Sequence, residues 1–213
     1  MSPVARTVGL CLVFVGIVLG MLYYSITRVP VLSEDQLREL NVFILPRPRE
    51  IAPFELMTHK GEAFTVESLQ GQWSFIFFGF TNCPDICPTS MSVMGIAERE
   101  LTAGGVREGA PFQGILVTVD PERDDLATLG RYVEAFSPRF LGVRGDREAT
   151  AKLATQLNVA FAQVPDPSGE GYQVDHTANI VIVNPRGHYH GFVRMPHKAE
   201  ALVAAYRSLA ATF

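Results

Sequence analysis

The apolar positions of this 213-residue chain begin with one long uninterrupted run. No residue between Arg6 and Arg28 is charged, and "VGLCLVFVGIVLGMLYY" is almost wholly apolar. As a helix this interval is about 30 Å long, which is the thickness of a bilayer core. We therefore predict a transmembrane anchor over residues 7–27, preceded by a short tail at residues 1–6. A cleaved signal peptide is the alternative, but the run is long for one and "GMLYYSITR" has no small-x-small cleavage site.

A short helix and a connector are predicted between the anchor and the folded domain. "SEDQLREL" begins with a capping box formed by Ser33 and Gln36, which favours a short helix. "LPRPREIAP" is punctuated by prolines and is typical of a connector. Residues 28–52 are therefore predicted to form a linker.

Residues 53–213 alternate between apolar runs and amphipathic stretches, which predicts one α/β domain. The predicted strands are two around the Lys60-Gly61 turn, then "WSFIFFGF", "FQGILVTVD", "FLGVRGD", and two within "ANIVIVNPRGHYHGFV". The predicted helices are "PTSMSVMGIAERELTAGG", "DLATLGRYVEAF", "REATAKLATQLNV" and "KAEALVAAYRSLAA". "VPDPSGEGYQVDHT" is rich in Pro, Gly and Asp and is predicted to be a loop or a flexible hairpin. The alternation of strands and helices implies a three-layer α/β sandwich, and the terminal hairpin implies that its central sheet is mixed.

The amino-acid composition indicates a folded protein and argues against one class of partner. The chain is 47% hydrophobic and 19% charged, which fits a folded domain rather than a disordered chain. Its formal net charge of -4 gives no basic surface for a phosphate backbone. Nucleic acid is therefore not expected as a partner.

The candidate chemistry begins with Cys83 and Cys87 in "FGFTNCPDICPTSM", between a buried strand and a helix. A helix N-terminus stabilises thiolates, so both cysteines are expected to be reactive. Positions i and i+4 share one face of a helical turn, close enough to chelate an ion or to close a disulfide. Thioredoxin-like folds present their thiols in this order. The pair alone leaves redox chemistry, metal binding and a structural disulfide open.

The histidines supply a candidate third ligand. His176 stands in "YQVDHTANIVIV", directly before a buried strand, where thioredoxin-like folds place the loop that faces the cysteines. A hydrogen-bonded loop histidine is the alternative interpretation. His59 and His197 are expected to be solvated surface residues. His188 and His190 lie two apart beside a turn, where an exposed edge is expected and a surface metal site is the alternative.

Four stretches together resemble the Sco/SenC family of copper-binding proteins, from about Pro53 onward. They are "FFGFTNCPDICPTSM", "VTVDPERD", "RFLGVRGD" and "YQVDHTANIVIVNPRG", in this order behind an apolar N-terminal segment. The resemblance implies a thioredoxin-like fold, copper ligation by Cys83, Cys87 and His176, and a part in building the copper A centre of cytochrome c oxidase. Asn184 stands where the family more often has Asp, but it is none of the three ligands.

The expected function is that of a membrane-anchored copper metallochaperone rather than an enzyme. Two soft thiolates and an imidazole suit Cu(I), and Cu(II) would recruit a further ligand. The expected partners are the copper A subunit of the oxidase, the membrane, and a copper-donor chaperone or thiol reductant. The alternative is a thiol-disulfide oxidoreductase in which Cys83 and Cys87 form a redox-active disulfide and reduce a client.

The sequence also suggests residues that surround the three candidate ligands and a location for the domain. Asp175 is a candidate to orient His176, Asp85 lies within the cysteine loop, and Asp120 ends a strand on the same side of the sheet. The alternative for Asp175 and Asp85 is an exposed loop residue, and for Asp120 it is a helix cap or a turn. Arg6 favours a cytoplasmic N-terminus, which would place a single-pass protein in the inner membrane with its domain on the periplasmic side.

Overall fold

The computed structural model describes residues 3–27, 31–104, 112–165 and 171–213. Helix α1, Pro3–Thr27, begins the chain. Its segment Arg6–Tyr23 has a mean hydropathy of 2.0 and is fully exposed, so by length and composition α1 is a candidate membrane span. The predicted helix is therefore confirmed. Residues 1–2 of the predicted tail and 28–30 of the predicted linker lie outside the described residues.

Five further α-helices, one 3₁₀ turn at Glu67–Leu69 and ten strands follow in the described part of the chain. The helices are α2 Glu34–Glu39, α3 Ile86–Ala103, α4 Leu126–Glu134, α5 Arg147–Gln156 and α6 Ala199–Thr212. The strands are β1 Val42–Arg49, β2 Leu56–Thr58, β3 Ala63–Phe64, β4 Ser74–Gly79, β5 Gln113–Thr118, β6 Leu141–Arg144, β7 Phe161–Pro165, β8 Tyr172–His176, β9 Ile180–Val183 and β10 Tyr189–Val193.

Strand β4 lies in the middle of an eight-stranded mixed sheet of order β1-β10-β9-β4-β5-β6-β2-β3. All six residues of β4 are buried, because an apolar run with no polar alternation can be covered on both faces. The strand pairs in parallel with β5 and antiparallel with β9. Helix α3 packs against α6, and α4 against β6. The predicted α/β fold with a mixed central sheet is confirmed.

The expected linker is wrong in one respect, because part of it is an edge strand. Strand β1 pairs antiparallel with β10, in a register that shifts between Ile44 and Arg49. An edge position tolerates prolines, since one side of the strand needs no backbone donors. The capping box of Ser33 and Gln36 is confirmed, and the α2 residue Leu37 is buried. The domain boundary near residue 53 stays a prediction.

Two local differences bear on the site. Helix α3 begins at Ile86 rather than at Pro88, so Cys87 lies in its first turn. Gly104 ends the helix as predicted, whereas Gly105 lies outside the described residues. The segment expected to be a loop or hairpin is a hairpin, in which β7 pairs with β8. Residues 166–170 between them are not described.

Candidate metal centre

Three donor atoms from three elements meet beyond the end of β4. They are Sγ of Cys83 in the loop after β4, Sγ of Cys87 in α3, and a ring nitrogen of His176 at the end of β8, and all lie within 4.8 Å of one another. Within the described ranges, this is the one group of three or more His, Cys, Asp or Glu side chains placed closely enough to hold a metal ion. The structure thus brings together the three residues singled out from the sequence.

The side chain of Asp124 holds the start of the loop that carries Cys83. This carboxylate is fully buried and accepts hydrogen bonds from the Thr81 N–H at 3.0 Å, the Thr81 hydroxyl at 2.5 Å and the Thr118 hydroxyl at 2.6 Å. The Cys83 N–H donates to the Phe80 carbonyl at 3.3 Å, which closes the turn. A buried carboxylate with several donors is well satisfied and holds the loop rigidly.

Gly79, the last residue of β4, leaves room for the Cys87 sulfur. A Cβ atom at this position would lie 2.8 Å from Cys87 Sγ and 2.9 Å from Cε1 of Phe77. The sulfur therefore packs directly on the backbone of the strand, which is possible only beside a glycine.

The two cysteines differ in their surroundings. Cys87 is fully buried, whereas Cys83 is partly exposed, and both are free thiols. Burial raises the pKa of the Cys87 thiol well above its usual range, and a backbone N–H of Phe80 offsets only part of this effect. Burial of Cys87 thus opposes the thiolate that a helix N-terminus would favour, and the expected reactivity of the two cysteines stays a prediction.

His176 is held as a neutral imidazole with one nitrogen directed at the cysteines. Its Nδ1 lies 3.2 Å from the Thr177 carbonyl oxygen, which can only accept, so Nδ1 carries the proton. Its Nε2 is thereby left with a lone pair, 3.5 Å from Cys87 Sγ. Burial lowers the pKa of His176, and the rings of Phe77 and Phe80 stand edge-on to it at 5.7 and 5.9 Å. A neutral imidazole of this kind is a good metal ligand.

A cavity of about 360 Å³ borders two of the three donor residues, Cys83 and His176. Its lining includes Cys83, His176, Ile86, Arg123 and Tyr172. Cys83, the more exposed thiol, opens onto this cavity, whereas Cys87 is fully buried.

The three aspartates expected around the site occupy different environments. Asp175 is exposed, and it is the Thr177 carbonyl that accepts the Nδ1 proton of His176. Asp85 is exposed just before α3, where its carbonyl rather than its side chain bonds the first turn. Asp120 is fully buried and accepts hydrogen bonds from Tyr172 and Arg123.

The expectation of solvated His59 and His197 is wrong. The side chain of His59 is 5% exposed, and its Nδ1 accepts the N–H of Gly142 at 3.1 Å. Nδ1 of His197 lies 2.9 Å from the hydroxyl of Ser90, one turn after Cys87. Both imidazoles fill gaps between elements, a role that residue type and predicted turn position do not reveal.

His188 lies in the turn before β10, and His190 is the second residue of β10. The Asn184 side chain, 1% exposed, accepts the N–H of His188 at 3.1 Å and lies 3.2 Å from Nδ1 of His190. His190 is half-buried with Trp73 edge-on at 5.1 Å, and burial lowers its pKa. The exposed edge expected here is thus partly covered.

Asp124, Arg123 and Tyr172 are the residues near the site that the sequence reasoning missed. The first two belong to "VTVDPERD", where acidic residues after a strand are equally typical of a turn or a helix cap. Tyr172 carried no signal of its own.

Comparison with known proteins gives a consistent set of matches. Residues 45–211 match the family model described as SCO1/SenC. A protein of Stutzerimonas stutzeri named as a candidate copper-binding protein is 37% identical over 176 residues, which cover 81% of this chain and 84% of that protein. The mitochondrial SCO2 homologue of Mus musculus is 37% identical over 161 residues, which cover 75% of this chain. The match spans only 62% of the length of the mouse protein.

A solved structure agrees with these sequence matches. Bradyrhizobium japonicum ScoI with copper bound is 34% identical and superposes with a TM-score of 0.64, over 74% of this chain and 98% of that one.

Proposed function

The chain belongs to the SCO1/SenC family, and on that premise we propose that it is a copper metallochaperone that delivers copper to the copper A centre of cytochrome c oxidase. In this proposal Cys83, Cys87 and His176 are the copper ligands. The observation that carries it is the convergence of their three donor atoms within 4.8 Å. The copper bound in the related ScoI structure supports the choice of metal.

The donor set favours copper over zinc. Two sulfurs and one imidazole nitrogen form a soft, three-coordinate set that suits Cu(I). A structural zinc site wants four protein ligands, and the cluster in the described residues has three. Cu(II) would bind with a further ligand from the cavity side. A site without a fourth protein ligand can also release its ion to a partner by ligand exchange.

We propose that α1 anchors the protein in the inner membrane and that the domain lies on the periplasmic side. The support is the exposed apolar segment Arg6–Tyr23 and the positive charge at its start. A membrane-impermeant thiol reagent should label the partly exposed Cys83 in intact spheroplasts. A domain that reacts only after lysis would place it in the cytoplasm.

A thiol-disulfide oxidoreductase is the second candidate, favoured by the unequal exposure of the two free thiols. In this reaction the Cys83 thiolate attacks a client disulfide and releases one client thiolate. Cys87 then gives its proton to the released client thiolate, attacks the mixed disulfide, releases the second client thiolate, and leaves a Cys83–Cys87 disulfide. An external thiol reductant must regenerate the pair.

The His176→Ala variant separates the two functions, because it removes the imidazole and leaves both thiols. We expect His176→Ala and Cys83→Ser cells to lose copper A assembly under limiting copper, while cells carrying the control His188→Ala retain it. Normal assembly in His176→Ala cells together with failure in Cys83→Ser cells would refute copper delivery and support the oxidoreductase.

A further inference from the structure

The strand that ends in His176 pairs with one described strand only. Strands β7 and β8 form a sheet of their own and pair with none of the other described strands. On one side, β8 continues through Thr177 into the central strand β9, which fixes its C-terminal end. The opposite end of β8 begins at Tyr172, about 13 Å away at the usual strand rise. Side-chain contacts must therefore hold that end.

Tyr172 makes such a contact with the main domain. Tyr172, Val174 and His176 alternate with exposed residues along β8 and so share its inward face. The Tyr172 hydroxyl donates to Oδ1 of Asp120 at 2.7 Å. Asp120 is fully buried just after β5, so this hydrogen bond joins the hairpin to the central sheet. Hydrogen bonds to a buried carboxylate are among the stronger ones.

Arg123 joins the same residues from a second direction. Its guanidinium lies 4.3 Å over the Tyr172 ring and donates to the Tyr172 carbonyl at 3.3 Å, while its Nε donates to Asp120. The guanidinium also lies 5.8 Å over Phe80, the ring that stands edge-on to His176. Arg123 thus bridges the cysteine loop and the hairpin.

We propose that Asp120, Arg123 and Tyr172 form a hairpin clamp that sets the position of His176 opposite Cys87. None of the three supplies a donor to the Cys83, Cys87 and His176 cluster, so they are positioning residues that act through His176. The clamp's effect on copper rests on the proposed function, whereas its effect on the hairpin does not. These two effects can be measured separately.

The first measurement concerns the hairpin in the reduced, copper-free full-length protein. Tyr172→Phe removes one hydroxyl and keeps the ring over Arg123. We expect amide hydrogen exchange over residues 172–176 to accelerate on the order of 10-fold. The control Tyr206→Phe removes a partly buried phenol that packs on Phe112, at the other end of β5, and should leave these amides unchanged. Unchanged exchange in Tyr172→Phe would overturn the clamp.

The second measurement is Cu(I) affinity by anaerobic competition in a double-mutant cycle. Tyr172→Phe should weaken binding on the order of 10-fold in the wild-type background and have no further effect in the His176→Ala background. An equal loss in both backgrounds, or no loss in the wild type, would overturn the positioning role. Arg123→Gln is the second variant and should show the same non-additivity.

The effect of the clamp on copper binding and its effect on the hairpin can be refuted independently. If His176→Ala alone leaves Cu(I) affinity unchanged, the proposed ligand set is wrong, and the positioning role falls with it. Accelerated exchange in Tyr172→Phe would then still identify the clamp as a support of the hairpin alone.

Discussion

Replacing Gly79 by alanine tests how closely the Cys87 sulfur must approach β4. The new Cβ would lie 2.8 Å from Cys87 Sγ, about 0.6 Å short of the 3.4 Å at which ordinary contacts begin. Gly79 itself cannot retreat easily, because it pairs with Thr118 and its carbonyl accepts the N–H of Val119 at 2.9 Å. The displacement therefore falls on Cys87 or on the Phe77 ring beside it.

The size of the effect follows from this geometry. Overpacking lowers the free energy of unfolding by about 1–3 kcal/mol. Replacing glycine by alanine also restricts the unfolded chain, which raises the free energy of unfolding by roughly 0.4–1 kcal/mol and offsets part of this loss. At about 2–4 °C per kcal/mol, the melting temperature of Gly79→Ala should fall by several degrees. A sulfur displaced by about half an ångström leaves the range of about ±0.2 Å around normal metal–ligand distances. Cu(I) affinity should therefore fall on the order of 10-fold, as it does when a supporting group of a metal ligand is lost.

The assay pairs thermal unfolding with anaerobic Cu(I) competition, and Gly95→Ala is the matched control. A Cβ at Gly95 would lie equally close, 2.8 Å, to the Phe136 carbonyl, but farther along α3. This variant should lose stability and keep its copper affinity. If Gly79→Ala binds copper as tightly as the wild type, or if both variants weaken binding equally, the reasoning about Cys87 is wrong.

Three further results are expected. Because burial raises the pKa of Cys87, this thiol is protonated at neutral pH, and copper must displace its proton to bind. Loss of this one proton should raise the apparent Cu(I) affinity about tenfold per pH unit between pH 6 and 8. An affinity that does not change with pH would contradict this. Asp124→Ala strands the buried hydroxyl of Thr118 and the partly buried donors of Thr81, and it should cost about 3 kcal/mol, roughly 6–12 °C in melting temperature. An unchanged melting curve would refute the anchoring role. A chain shortened to begin at residue 31 should remain soluble. A chain that begins at residue 50 lacks β1, so the edge of β10 is exposed and the protein should aggregate. Equal solubility of the two chains would show that β1 is dispensable.

The sequence predicted the centre of the sheet well and its edge poorly. The run around β4 has no polar alternation, so burial on both faces follows from the residues alone. Strand β1 was missed because Pro46 and Pro48 are typical of connectors, and only pairing with β10 at an edge makes a strand of them.

In the site, residues that belong to short motifs could be predicted, whereas residues that act through contacts distant in sequence could not. Cys83 and Cys87 lie in one short motif, and His176 precedes a recognisable buried strand, so their meeting could be predicted. The buried Asp124 and the clamp residue Tyr172 act across contacts between elements that are distant in sequence, which no local pattern encodes. The high pKa of Cys87 likewise depends on how completely the fold covers the sulfur.

The central claim is that Cys83, Cys87 and His176 together ligate copper, and X-ray absorption on the reduced protein carrying one equivalent of Cu(I) tests it most directly. We expect two sulfur ligands and one imidazole nitrogen in the wild type. We expect two sulfurs, no imidazole and an affinity lower by about 10-fold to 100-fold in His176→Ala. An unchanged spectrum and affinity in His176→Ala, or undiminished copper binding in Cys83→Ser, would contradict it.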